Sequence, residues 1–416
     1  METTLLGDAR AISSRWLTDL NLTSLIEERL NSATPLEGTV DVVAIGKASR
    51  EMALAAQSVL GSRVARTIIV SEVRAKSDRS EDRVLIGEHP IPGAGSLHAG
   101  REVTSFLTSD GHADTTLLLL SGGASSLCVL PAPPLTVDDL GEIWAAALRA
   151  GVDITTLNQV RATTSLIAGG ALLRYVRSAH STSLILVDNV ISGARWVASA
   201  MTYEYNPSPE EAEALWATIG VSGSLRARML SAFQTRGELM AARPAAVHQN
   251  VVVGEPAMML ASAIEEATRR GYHVLNQGAR VVGDVSSVAR EWGEAARSAD
   301  ARTAVVGVGE VTVQLEGGGR GGRCQEFAWL MAKELSERAR PSVFLATASD
   351  GRDFVEGVGG AWVSEATWPR LDEVGLDWAS VGRAHDTYPA LRALGQLIEG
   401  GHTGWNLCDL YVALVD

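Results

Sequence analysis

Strand-length apolar runs with at most one polar interruption constrain this chain most. Val40–Ile45 reads Val-Asp-Val-Val-Ala-Ile, Thr115–Leu120 ends in four consecutive leucines, and Ser183–Val187 reads Ser-Leu-Ile-Leu-Val. A strand with one wet face alternates apolar and polar residues, whereas a strand covered on both faces does not. Thr67–Val70 and Val84–Ile86 are two further strand candidates. Between them lie helical patterns with readable ends. One follows Gly46-Lys47 and runs to about Leu60; another has Thr136 as N-cap, Asp138 and Asp139 in its first turn, and Gly151 as its stop. Strands alternating with helices predict right-handed βαβ units and a parallel, Rossmann-like sheet.

The texture changes after Tyr203. Ser208 and Pro209 form a cap and first-turn pair, and residues 208–246 read as helical hairpins. A second α/β block starts near Val247: strand Val251–Val253, helix Pro256–Arg270, an extended pair Thr303–Gly307 and Val311–Leu315, helix Arg323–Arg338, strand Val343–Ala346 and a closing strand Leu410–Val415. The 416 residues suit two or three domains, and the reading places domains at 1–240 and 241–416.

Charge and cysteine usage exclude several classes. The net charge is −13, with Lys and Arg scattered, so nucleic-acid binding is not expected. Three widely spaced cysteines give neither a disulfide framework nor a zinc site. The opening Met1–Asp8 has early acids and no apolar core, and no apolar stretch approaches the roughly 20 residues that span a bilayer. A cytoplasmic protein is expected, and a homodimer is left open. A Walker loop, a G-x-S-x-G elbow, H-E-x-x-H and a G-x-G-x-x-G after the first strand are all missing, so hydride transfer on a Rossmann cofactor is poorly supported.

In an open parallel sheet, ligands bind beyond the carboxyl ends of the strands. Ser121-Gly122-Gly123-Ala124-Ser125-Ser126 is either a phosphate cradle, with glycine backbone and hydroxyl donors, or a tight strand-to-helix turn. Lys47 is either a phosphoryl-neutralising ammonium or a lysine that reaches the surface. Gly317–Arg323 is either an arginine clamp for an anion or a mobile glycine connection. Asp188 and Asp350 follow apolar strands and read as a general base, a magnesium ligand or a turn acid. Glu310 reads as a metal ligand or a strand-edge acid, and Asp386 or Thr387 as a helix cap.

Together these loops resemble the type II glycerate kinase, or MOFRL, family. The resemblance rests on Gly46-Lys47-Ala48, His89-Pro90-Ile91-Pro92, Ser121-Gly122-Gly123-Ala124-Ser125, Leu157-Asn158-Gln159-Val160-Arg161, Gly169-Gly170, Gly321-Gly322-Arg323-Cys324-Gln325-Glu326-Phe327-Ala328 and Ser349-Asp350-Gly351. His385-Asp386-Thr387-Tyr388-Pro389 and Thr403-Gly404-Trp405-Asn406-Leu407-Cys408-Asp409-Leu410 complete it. The resemblance implies a Rossmann-like N-terminal domain, a smaller α/β C-terminal domain, an active site in a cleft, ATP with Mg²⁺, and phosphorylation of D-glycerate at its 2-hydroxyl. It implies that Lys47 and Arg323 stabilise the transferring phosphoryl group and that Asp188 orients or deprotonates the hydroxyl. Glu310 and Asp350 would serve the metal. Ser121, Gly122, Gly123, Ser125, Asn158 and Arg161 are the expected nucleotide contacts.

The sequence departs from that pattern near the site. Val-Val-Gly-Asp-Asp after Asp188 becomes Asn189-Val190-Ile191-Ser192-Gly193, and Ala-Ser-Gly-Pro-Thr becomes Ala198-Ser199-Ala200-Met201-Thr202. Arg195 and Trp196 are new, and Lys-His after Arg161 is Ala162-Thr163. Gly-Pro-Thr-Asp in the loop after Asp350-Gly351 is Phe354-Val355-Glu356-Gly357, the Asn before Gln325 is Cys324, and Trp405 replaces a small residue. The leading expectation is a kinase for glycerate or a related small hydroxy acid. A second is a specialised transferase or kinase acting on a larger metabolite, its pocket reshaped by Arg195 and Trp196. A third is a ligand-binding homologue without catalysis, against which the retention of Lys47, Asp188, Arg323 and Asp350 argues.

Overall fold

The computed structural model describes residues 2–32, 36–73, 80–242, 246–315, 317–337 and 340–416. It divides into two compact units: Leu22–Gly254, and Glu255–Asp416 together with the residues up to Asn21.

In the first unit, β1 (Val40–Ile45), β2 (Val64–Ser71), β3 (Arg83–Ile86), β4 (Thr115–Leu120), β5 (His180–Leu186) and β6 (Val247–Gly254) form one sheet. Its order is β3-β2-β1-β4-β5-β6 and every pairing is parallel, the Rossmann-like arrangement predicted. All six residues of β1 and of β4 are buried, which is why their sequences do not alternate. Val43, Ile45, Ile68, Val70, Leu118 and Leu120 pack on Val103, Phe106 and Leu107 of the helix Ala94–Thr108. The expected caps are in place. Thr136 accepts from the Asp139 backbone N–H at 3.2 Å while its own N–H donates to the Asp139 carboxylate at 2.9 Å, and Ser208 and Glu211 repeat the exchange. A second apolar cluster around Trp144 and Trp216 joins the helices Val137–Arg149, Ile154–Thr164, Pro209–Thr218 and Gly223–Ala241.

The boundary differs from the expected 240. β6 pairs along β5 from His180↔Val247 onward, so the strand read as opening the second block closes the first sheet instead. The N-terminal residues belong with the other unit. Helix Glu2–Ser14 packs on the helix Pro256–Arg269 and on two strands of the second sheet, Asp8 pairs with Arg270, and the Tyr272 hydroxyl donates to Asp8 at 2.8 Å.

The second sheet consists of β7 (His273–Asp284), β8 (Thr303–Thr312), β9 (Ser342–Ala348), β10 (Val358–Ser364), β11 (Leu397–Glu399) and β12 (Asp409–Val415). Its order is β11-β10-β9-β12-β8-β7; β7 and β8 are parallel and the other pairings antiparallel. The extended pair expected at 303–315 is one strand. Gly307 and Gly309 do not turn the chain; a Cβ on Gly309 would enter the Val281 backbone, so glycine there lets β7 approach. β7 carries no strand signal because, at the sheet edge, most of its residues stay at least partly open to solvent. The helix starting at Arg323 ends at Ser336; Arg338 and residues 243–245, included in predicted helical stretches, lie outside the described residues.

Trp405, one of the departures, packs edge-on against Trp16 with ring centroids 6.4 Å apart. It fastens the N-terminal segment to this unit. Among the described residues no helix is long and apolar enough to cross a membrane.

Candidate active site

In the parallel sheet the strand order reverses between β1 and β4, where an open α/β sheet leaves a crevice at its carboxyl edge. Gly46-Lys47 follows β1 and Ser121-Gly122-Gly123 follows β4. The two turns interlock: the Lys47 N–H donates to the Gly122 carbonyl at 2.8 Å, and the Ala48 N–H to the Ser121 hydroxyl at 3.1 Å. Ser121 is buried, and its hydroxyl oxygen, by accepting the Ala48 N–H, fixes the Lys47 loop.

The two glycines are surfaces for functional side chains. A Cβ on Gly122 would fall within the Asp188 carboxylate, and one on Gly123 would lie 3.1 Å from Lys47 Cγ and 3.4 Å from His89 Cδ2. Lys47, Asp188 and His89 therefore converge on one turn, from three different strand ends. Lys47 is exposed, with its stem along Gly123. Burial first, and the Lys47 charge next, hold the His89 imidazole below its ordinary pKa; Glu72 opposes this and Arg161 adds to it. His89 was visible in its His-Pro motif but drew no assignment from sequence.

Beyond Gly123 lies a second polar group. Ser199 donates to Asn158 Oδ1 at 3.0 Å and its oxygen lies 2.7 Å from the Ser125 hydroxyl, with which it shares a hydrogen bond; Asn158 Oδ1 also accepts from Arg161 at 3.2 Å, and its Nδ2 donates to the Trp196 carbonyl at 3.3 Å. Asn158 is therefore a buried positioning residue. Arg161 stacks on Trp144 at 4.2 Å, its Nε is buried without a partner, and burial pulls its pKa down to about 10. A guanidinium short of partners favours an anion. Ser199 reaches this group because Ala198, Ser199 and Ala200 all have left-handed φ, between 50° and 58°. Each such residue costs about 1–2 kcal/mol, and the turn is held by N–H donation from Gly169 to Ser199 O at 3.0 Å and from Gly170 to Ala200 O at 2.7 Å.

Several departures are explained by packing. Trp196 lies in a buried cluster with Ala162, Ala168 and Ala200, so the small residue at 162, where the resembled pattern has Lys, makes room for the indole. Thr163 accepts the Trp216 indole N–H at 2.9 Å. Asn189 caps its own turn, its side-chain oxygen accepting the Ser192 and Gly193 N–H groups at 2.8 and 3.2 Å. Arg195 donates to the Glu204 carbonyl at 2.8 Å and lies over Trp196.

The other unit has its own cluster. Arg323, the first residue of the helix Arg323–Ser336, pairs with Glu310 of β8 and reaches Asp409, at the start of β12, through Nε at 3.3 Å and a second nitrogen at 3.4 Å. Asp409 is fully buried, and burial pushes its carboxyl up to about 7 despite Arg323; nearby Asp353 and Glu310 add to the rise. Sequence reasoning quoted Asp409 within a motif but assigned it no role. Asp353, also raised by burial, accepts the Cys324 and Gln325 backbone N–H groups at 3.1 and 2.9 Å and so caps the helix.

The glycine loop before Arg323 lies against the chain at Ala384 and Asp386. Cβ atoms on Gly317 and Gly319 would meet the Ala384 carbonyl, the Arg320 N–H donates to Asp386 at 2.9 Å, and the Arg320 guanidinium covers the Tyr388 ring. Asp386 therefore anchors this loop rather than capping the helix that follows. Cys324 is buried and its thiol pushed well above its ordinary pKa, which leaves it inert.

Glu310 and Asp350 offer hard carboxylate oxygens, the donor type magnesium takes. Glu310 is already paired with Arg323, and Asp350 accepts the Arg352 N–H at 2.9 Å. No group of three or more His, Cys, Asp or Glu side chains among the described residues is arranged to hold a metal ion. The donor set fits a magnesium carried in with phosphates, not a closed protein cage.

The burial of Asp409 has a measurable consequence. Its folded pKa lies near 7 and its unfolded value near 3.8, so between those values the folded chain holds a proton that the unfolded chain has lost. Stability from this group therefore falls as pH rises through that window, by at most about 1.4 kcal/mol per pH unit, and levels off above about pH 7. Asp409→Asn removes the penalty. In urea unfolding from pH 5 to 8, the variant should gain on the wild type as pH rises; parallel profiles would contradict this.

The family described as "Domain of unknown function (DUF4147)" matches residues 8–234, and the MOFRL family matches residues 303–409. Glycerate 2-kinase of Pyrococcus horikoshii is 27% identical over 428 aligned residues, which cover 99% of this chain and 96% of that protein. D-glycerate 2-kinase of Thermotoga maritima is 27% identical, covering 90% of each. The crystal structure of glycerate kinase from T. maritima superposes with a TM-score of 0.87 at 24% identity, covering 100% of both chains, which establishes the fold.

Proposed function

The chain belongs to the family of the DUF4147 domain, here followed by a MOFRL domain, and from that premise we propose that it is an ATP-dependent kinase phosphorylating glycerate, or a closely related small hydroxy acid, at the 2-hydroxyl. The observation that carries the reading is the convergence of an ammonium and a carboxylate, Lys47 and Asp188, over consecutive glycines at the reversal point of the parallel sheet.

Phosphoryl transfer needs little covalent chemistry from the protein; it needs positioning and cationic stabilisation. In this reading Asp188 accepts the hydroxyl proton as the acceptor oxygen bonds to the γ-phosphorus and the bond to the β–γ bridging oxygen breaks, leaving ADP. Lys47 offsets charge on the moving phosphoryl group. Arg323, oriented by its two-nitrogen grip on Asp409, is assigned a role of the same kind, as a guanidinium that offsets phosphate charge. Arg161 and Ser125 bind an anionic group of the nucleotide, with Asn158 and Ser199 holding them in place. The backbone at Gly122 and Gly123 lines that site, and Ser121, which locks the Lys47 loop by accepting the Ala48 N–H, keeps its own O–H to donate to phosphate. Glu310 and Asp350 would hold magnesium, which would neutralise phosphate charge.

The test is ADP release with ATP and magnesium, as D- and L-glycerate, lactate and longer hydroxy acids are added in turn. Release that rises with D-glycerate or a near relative supports the reading. Release indifferent to every hydroxy acid sinks it.

A further inference from the structure

Of the three side chains that meet at Gly122 and Gly123, Lys47 and Asp188 have a part in the transfer and His89 has none. Yet the chain holds the His89 segment firmly. Gly87, just past β3, has no room for a Cβ, which would strike the Leu127 carbonyl, so the segment passes close against the turn that follows Gly123. The Glu88 carboxylate accepts the Gly93, Gly95 and Ser96 N–H groups at 3.1, 3.0 and 2.8 Å, and the Ser96 hydroxyl at 2.7 Å. On the other side, the Ser126 hydroxyl donates to the Pro90 carbonyl at 2.9 Å. Both neighbours of His89 are thus tied down. The Cδ2 edge of its ring lies 3.4 Å from the point where a Gly123 Cβ would stand, and Lys47 Cγ and Cε lie 3.1 and 3.4 Å from the same point.

The ring is half-buried, and among the described residues no hydrogen bond engages it. Its nitrogens are therefore left for something outside the fold. The surrounding charges say what that is. Lys47, after β1, and Arg161, on the helix Ile154–Thr164, act on the ring as cations, and Glu72, directly after β2, opposes them. Asp188 stands at the neighbouring glycine, and Glu88, on the same segment, is engaged in its helix cap. A ligand drawn to two cations is an anion. A ring kept neutral by burial and by those cations offers it one N–H donor and adds no charge repulsion between the cations.

We infer that His89 is a further ligand-contacting residue of this site, a hydrogen-bond donor to a phosphate oxygen seated beside Lys47. This rests on the kinase reading for the identity of the anion as a phosphate; the donor arrangement itself calls only for an oxyanion. A bound oxyanion favours the charged imidazole, so the ring takes up a proton from solvent as the ligand enters. By linkage, affinity rises as pH falls toward the range where the ring titrates.

Sulfate is the probe, because it carries the same charge from pH 6 to 8 and its binding is independent of turnover. In NMR of the intact protein, the His89 ring signal, assigned by its loss in His89→Gln, should titrate at higher pH with sulfate than without. By titration calorimetry, sulfate affinity should rise from pH 8 to 6 in the wild type. His89→Gln, whose amide keeps a neutral donor, should bind sulfate without that rise. His89→Leu should weaken sulfate about tenfold or more with an unchanged melting midpoint. If His89→Leu fails to fold, the wild-type ring titration and His89→Gln decide the matter. The inference is overturned if the His89 midpoint ignores sulfate, if His89→Gln keeps the wild-type pH slope, or if a folded His89→Leu binds sulfate like the wild type. Failure to phosphorylate any hydroxy acid would instead remove the kinase reading and leave a His89-dependent sulfate result standing.

Discussion

Lys47→Ala should lower turnover about 10²–10³-fold, the scale for removing one preorganised stabiliser of developing charge. Lys47 is exposed, and its backbone is fixed independently of its side chain by the Gly122 carbonyl. The substitution should therefore leave the melting profile unchanged. The check is kcat at saturating ATP and hydroxy acid, beside a thermal melt. Lys47→Arg should recover only part of the loss, because a planar fork presents its donors differently from a compact ammonium. Turnover equal to the wild type in Lys47→Ala would remove Lys47 from the chemistry.

Arg323→Met should cost more, on the order of 10³-fold or above, as loss of a guanidinium that offsets transition-state charge does in phosphoryl transfer. Three acids surround this position, and each responds differently when the cation goes. Glu310 is open to water and regains hydration. Asp409 already sits near neutrality at about 7, and without its partner it keeps its proton, which limits the structural damage. Asp353 keeps its hydrogen bonds from the helix N–H groups. A folded protein with depressed kcat is the expected outcome, read by single-turnover kinetics and near-UV circular dichroism. Arg323→Lys should remain impaired, since it cannot reach Asp409 with two nitrogens. A folded Arg323→Met with unimpaired turnover would contradict the role given to this residue.

The sequence made the parallel sheet legible for a simple physical reason: strands buried on both faces, such as Thr115–Leu120, cannot hide their composition. β7 stayed invisible because an edge strand buries little, and β6 was assigned to the wrong sheet because pairing partners leave no mark on a single strand. The placement of Lys47 and Asp188 followed from the strand-end rule, and both lie at the expected edge. At Ser121 the structure adds what the sequence could not display: its hydroxyl oxygen accepts the Ala48 N–H and interlocks the β1 and β4 turns.

Asp409 was hidden for a different reason. It lies 86 residues from Arg323, and only the pairing of β12 with β8 brings the two together. The departures were read as changes to the site, but Trp405, Trp196 and Ala162 are explained by packing contacts that a sequence cannot display. Phe354, exposed and in left-handed backbone, is a departure that no packing contact explains.

The central claim is transfer of the γ-phosphoryl group to a hydroxyl of a small acid. Phosphorus-31 NMR of the intact protein with ATP, magnesium and D-glycerate tests it most directly. The account predicts a phosphate monoester appearing in step with ADP, and its loss in Lys47→Ala. ATP that stays intact, or is hydrolysed to inorganic phosphate with no ester formed from glycerate or its near relatives, would contradict it.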